Sequence, residues 1–203
     1  MAPSILLTGS TGTNPLSLDC PVGTTLLVVI TNRTHVSNAS VPSSMTYNGV
    51  ALGQATSADV GAAATAIWTL KNPTPGVHDL AWVGGTGDNT TPYWFLGEAE
   101  GVERDTLNTT AGSASQITGS LDSEVDDLCI FGCACTDSNA FSPLLGMTET
   151  LDADGSPGRH GAGTEAGAQG SQDAGFDGGN GNYAMVGISI PPELLGGARF
   201  FGL

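Results

Sequence analysis

Hydrophobic positions along the chain fall into short bursts that alternate with polar residues or run unbroken for a few positions. Both patterns suit strands, half-buried in the first case and buried on two faces in the second. They predict strands at Ser4 to Leu7, Thr24 to Asn32, Ser44 to Tyr47, Val50 to Gln54, Ala64 to Lys71 and Val77 to Val83. Further strands are predicted at Tyr93 to Val102, Ala114 to Ser120, Asp127 to Thr136, Leu144 to Leu151 and Tyr183 to Ile190. Asn48-Gly49 supplies the two positive φ angles of a type I′ turn, so Thr46-Tyr47 and Val50-Ala51-Leu52 should be the arms of a hairpin. No stretch holds a helical period. "SADVGAAATAIW" (Ser57 to Trp68) comes nearest, and its Gly61 and β-rich end argue against a helix. Many strands with no helical crossovers predict an all-β fold, an antiparallel two-sheet β-sandwich of jelly-roll-like form.

Two segments break this pattern. Residues 152–181 are dominated by Gly, Ala and acidic residues, and read as a long Gly/Asp-rich loop inserted into a single sandwich domain of residues 1–192. Residues 193–203 form an apolar tail after Pro191-Pro192. Its Leu194, Leu195, Phe200, Phe201 and Leu203, with Arg199 beside them, are the candidate partner-binding residues. The tail packs either on its own domain or on a neighbouring subunit.

Composition narrows the function classes. The 203 residues carry 20 acidic and 5 basic side chains, a net charge of −15. Such a surface repels nucleic-acid phosphates and anionic membranes, so neither is an expected partner. The first fifteen residues hold no basic residue and only a three-residue apolar run, unlike a secretory leader. "TTLLVVI" (Thr24 to Ile30) is too short to span a bilayer. On a strand, Cys129, Phe131, Cys133 and Cys135 share one face, a poor geometry for a disulfide. With Cys20 they read as buried free thiols in a chain folded in a reducing cytoplasm.

Candidate chemistry is sparse, and neither catalytic residues nor a cofactor are expected. No G-x-S-x-G elbow occurs, and His35, His78 and His160 lie in no nucleophile pattern. Glu98 and Glu100 share a strand face near Tyr93 and Trp94, as a glycosidase pair with a sugar platform would, or form a solvated acidic edge. Asp152, Asp154 and Glu165, joined by Asp173 and Asp177, are candidate ligands for a calcium ion, against a solvated acidic loop. The sequons at Asn32, Asn38, Asn89 and Asn108 reflect Ser/Thr richness rather than glycosylation.

"SSMTYNGVALGQ" (Ser43 to Gln54), "AIWTLKNPTPGVHDLAW" (Ala66 to Trp82) and "NYAMVGISIPP" (Asn182 to Pro192) together resemble a β-sandwich family of bacteriophage virion proteins and bacterial surface proteins. The resemblance runs from about Thr24 to Pro192 and rests on packing and turn motifs. It implies a non-enzymatic structural virion protein of a tailed phage, above all a capsid decoration (cement) protein on the particle exterior. Its partners would be the major capsid protein or other virion proteins, and it would be a homo-oligomer, with a trimer favoured. Such a protein is assembled in the host cytoplasm and needs no export signal. The alternative is a carbohydrate-binding adhesin or receptor-binding module of a phage tail or fibre. There Tyr93, Trp94, Trp68 or Trp82 would stack on a host glycan.

Overall fold

The computed structural model describes residues 2–10, 14–100, 103–155 and 157–193. The described chain is all-β, with antiparallel neighbours throughout its three sheets. The strands are β1 (Ser4–Gly9), β2 (Leu16–Cys20), β3 (Leu26–Thr34), β4 (Ser44–Tyr47), β5 (Val50–Ala51), β6 (Gly53–Asp59), β7 (Ala63–Lys71) and β8 (Gly76–Val83). They continue as β9 (Asp88–Thr90), β10 (Tyr93–Gly97), β11 (Asp105–Ser123), β12 (Leu128–Cys135), β13 (Ser142–Leu144), β14 (Thr148–Gly155), β15 (Gly158–Ala166) and β16 (Gly170–Ile190). The outer sheet has the order β2-β8-β4-β5, and the middle sheet β1-β10-β3-β7-β6 with β9 also on β3. The third, glycine-rich sheet runs β11-β16-β12-β15-β14, with β13 on β16.

β3 explains the stacking. Its nine residues are all buried, and alternate side chains enter different cores. Leu26, Val28 and Ile30 meet Ile130, Ala184, Val186 and Ile188 of the glycine-rich sheet. Leu27 and Val29 meet Leu18, Met45, Leu80 and Trp82 of the outer sheet. An unbroken aliphatic run is what a strand needs when both faces are covered, and each such side chain contributes about 1.5–3 kcal/mol of burial. The sandwich therefore has a third layer, which takes it beyond the two sheets of a jelly roll.

A third core lies on the far side of the glycine-rich sheet. Bulges between Ala111 and Gln116 interrupt the β11–β16 pairing. The far half of that strand pair contributes Ile117, Leu121, Ala174 and Phe176 to a cluster with Cys129, Phe131, Cys133, Cys135 and Met185. β12 thus divides its side chains as its alternation predicts, sulfurs and Phe131 to one side, Leu128, Ile130 and Ala134 to the other. All four cysteines are free and buried.

The expected loop at 152–181 is corrected: the end of β14, all of β15 and the first half of β16 occupy it. Its glycines are there for space. A Cβ on Gly161 would lie 2.6 Å from the Phe141 ring, and one on Gly178 also 2.6 Å from it. The Phe141 ring, just ahead of β13, fills the room that these residues leave. The strand expected to reach Val102 stops at Gly97, because Glu98 takes a φ of +56°. The hairpin at Asn48-Gly49 is present, with φ values of +50° and +73° and Tyr47 opposite Val50.

Candidate functional site

The residues proposed for chemistry are dispersed or already occupied. Asp152 and Asp154 of β14 both grip Arg159 across the hairpin, with Asp152 Oδ2 2.7 Å from Arg159 Nη2. Glu165 lies four residues along β15 from the partner of Asp152 and six from that of Asp154, roughly 13 to 20 Å away at strand rise. The three carboxylates therefore do not come together. Asp173 and Asp177 are exposed on β16. Among the described residues no group of three or more His, Cys, Asp or Glu side chains is placed to hold a metal.

Glu98 and Glu100 do not share a strand face, since β10 has ended and Glu98 turns outward. The aromatic residues considered as sugar platforms belong to the cores. Trp94, Trp68 and Trp82 are buried, and Tyr93 is half-buried with its ring against Phe95. The candidate partner-binding residues Leu194, Leu195, Arg199, Phe200, Phe201 and Leu203 lie outside the described residues.

The histidines have structural partners. His35 Nδ1 accepts the backbone N–H groups of Ser37 and Asn38, and His78 Nε2 sits 3.1 Å from Pro75 O. His160 is fully buried where the face of β3 turns from aliphatic to polar. Its Nε2 lies 3.1 Å from Thr34 Oγ1, and its Nδ1 2.7 Å from Thr90 Oγ1. Beside it, Asn32 donates to Gly161 O at 2.9 Å and accepts from Thr65 Oγ1 at 2.7 Å, which makes this sequon residue a core group. Burial pushes the imidazole down to about 4, with Arg33 acting in the same sense and Asp88 opposing. A neutral ring has one N–H, so one threonine accepts and the other donates. The cluster pins β3, β9 and β15 together away from solvent. It had no signal in the sequence, because His160 stood in a segment read as loop.

The thiols are likewise unavailable for chemistry. Burial raises all four, Cys129 to about 11, and a protonated thiol is a poor nucleophile. Asp127, with its side chain fully buried, joins β11, β12 and β16. Burial alone would raise its pKa, but bonds from Arg104 Nε (2.7 Å), Glu124 N (2.9 Å) and Ser189 Oγ (2.8 Å) prevail and lower it.

What the fold presents outward is the outer sheet. Its inner face carries Leu18, Met45, Tyr47, Leu80 and Trp82. The opposite positions of β8 are Val77, Asp79, Ala81 and Val83, facing Asp19, Ser17, Thr46 and Ser44 on the neighbouring strands. Val77 and Val83 are each 66 % exposed. A shallow groove of about 370 Å³ crosses this face from the Asn48-Gly49 turn to Val77, Asp79 and Ala81. The middle sheet is covered on both faces along β3, whereas the outer sheet packs its inner face on it and turns these positions of β8 to solvent. Compared with protein-family models, curated proteins and solved structures, the chain has no match.

Proposed function

We propose that the protein is a structural subunit of a virus particle, a capsid decoration protein on the exterior of a tailed phage, which seats the open face of its outer sheet on the major capsid protein or a neighbouring virion protein. The observation that carries this reading is the pair of valines, Val77 and Val83, exposed on the outward face of β8 in a body whose sequence bears a net charge of −15. Exposed apolar residues grouped on a polar surface mark a docking face. Asp79 stands between the two valines and Asp19 faces Val77, and both would select a partner with basic groups there. The buried, protonated thiols suit folding in a host cytoplasm, and stacked sheets suit a rigid part of a shell.

Val77→Glu/Val83→Glu tests the reading. Both positions are exposed, so the melting temperature should hold within about 2 °C while occupancy on purified particles falls at least tenfold. Antibody against the chain should label the outside of intact particles. A double variant that decorates as fully as the parent, or particles without label, would overturn the assignment.

A further inference from the structure

We propose that Arg33 is the floor of an anion-binding site, between β3, β9 and residues 84–87, that takes a small oxyanion: a carboxylate or a phosphate. Arg33 has the parity of Leu27 and Val29 on β3, so its side chain lies on the outer-sheet side, past the core those residues fill. The residue is only 6 % exposed. Its Nη1 donates to Gly87 O at 3.3 Å, while Nε and Nη2, both buried, have no hydrogen-bond partner. A guanidinium does not shed its proton to escape burial, so a charge held there needs an acceptor.

The other described arginines show what this open edge is built to hold. Nε and Nη2 form the side of the guanidinium that meets two oxygens at once. Arg104 presents it to Asp127, with Nε 2.7 Å from Oδ2 and Nη2 3.2 Å from Oδ1. Arg159 presents it to Asp152, with Nη2 2.7 Å from Oδ2. Arg33, more deeply buried than either, presents the same edge to none of the described residues. Bonds to carboxylates raise the pKa of Arg104 and Arg159, whereas burial lowers that of Arg33. The ligand that fits is an anion with two oxygens side by side. Chloride offers a single point and does not match the fork.

Two further features meet at the same place. Asn89 stands opposite Arg33 on β9, and its Oδ1 is buried without a partner while Nδ2 donates to Thr91 Oγ1 at 2.8 Å. Turning this amide over keeps the Thr91 contact, with the hydroxyl donating, and offers Nδ2 to an anion. Residues 84–87 run over the guanidinium, close enough that a Cβ on Gly85 would lie 3.2 Å from Arg33 Cζ. Ser40 and Thr86 tie this strap down through two backbone hydrogen bonds of 3.0 Å each. Those two bonds are what an anion must open to enter. The site is independent of the assembly reading, which rests on β8.

Sodium phosphate, sodium acetate and sodium chloride, compared at equal ionic strength on the full chain, test the proposal. Phosphate, acetate or both should shift the Arg33 Nε–H resonance saturably in nitrogen–proton spectra, with those of Arg104 and Arg159 unmoved. The salt that acts tells a phosphate from a carboxylate as the source. At about ten times its dissociation constant, that salt should raise the melting temperature by about 4 °C over chloride. Arg33→Met should remove the rise. An Arg33 resonance that no salt moves, or that chloride moves as far, would overturn the proposal without recourse to any variant. So would a rise in melting temperature that persists in Arg33→Met.

Discussion

β3 and β15 are both nine residues long, both paired on two sides and both largely buried, yet their compositions barely overlap. β3, "LLVVITNRT", brings its own bulk and fills two cores with it. β15, "GRHGAGTEA", brings gaps. Phe141 and Phe176 close on Gly161, and Met147 closes on Gly163. A buried strand can therefore be made by supplying volume or by receiving it, and only the first shows as hydrophobicity. Close packing requires that the sum be filled and is indifferent to which strand fills it.

The difference can be broken most severely at β3. Leu27→Ala should cost about 3–4 kcal/mol, because a buried methyl cluster between the middle and outer sheets becomes a cavity. Urea or thermal unfolding reads the loss, and a cost below about 1 kcal/mol would mean that this core collapses freely.

Acid should act next, through His160. Its folded value of about 4 lies below the ordinary 6.5, so between those values the unfolded chain holds a proton that the folded one lacks. Stability is full above pH 6.5 and should fall by on the order of 3 kcal/mol as the pH drops to about 4. His160→Gln should flatten the dependence in that window. An equally steep profile in the variant would show that other groups carry it.

The smallest expected effect is Gly161→Ala, about 1–2 kcal/mol, since the new methyl meets the Phe141 ring at 2.6 Å. Pairing it with Phe141→Leu should recover part of the cost in a double-mutant cycle. Additive costs would show that the ring and the glycine are not one packing unit. Alanine is thus harmful in both strands for opposite reasons, one through lost volume and the other through added volume.

The same contrast explains what was legible in the sequence. β3, β4, β7, β8 and β12 announce themselves because their own side chains alternate or run apolar; of the core residues this pattern predicts, Leu27, Val29, Trp68, Leu80, Trp82, Ile130 and Val186 are buried and Leu70 is half-buried. β15 and the first half of β16 are invisible to such a reading, because their partners in packing, Phe141, Met147 and Ile117, come from other parts of the chain. Asp152 and Asp154 looked like open ligands because nothing local indicates that Arg159 lies across a hairpin from them. The stretch that would have corrected this is "DADGSPGRHGA", whose turn falls within it; the charge pairing follows only once the turn is placed.

The sheets also divide the chain in time. Every strand of the outer and middle sheets comes from residues 4–97, and every strand of the glycine-rich sheet from residues 105–190. During synthesis the first half is complete while Leu26, Val28, Ile30, Trp94 and Leu96 still lack the strands that cover them. At 5–20 residues per second, the roughly 90 residues that follow take roughly 5 to 20 s to emerge. For that interval the nascent chain carries an uncovered aliphatic sheet face, a binding site for chaperones and for other nascent copies. Slowing translation between residues 100 and 190 should therefore lower soluble yield, although the finished protein is unchanged.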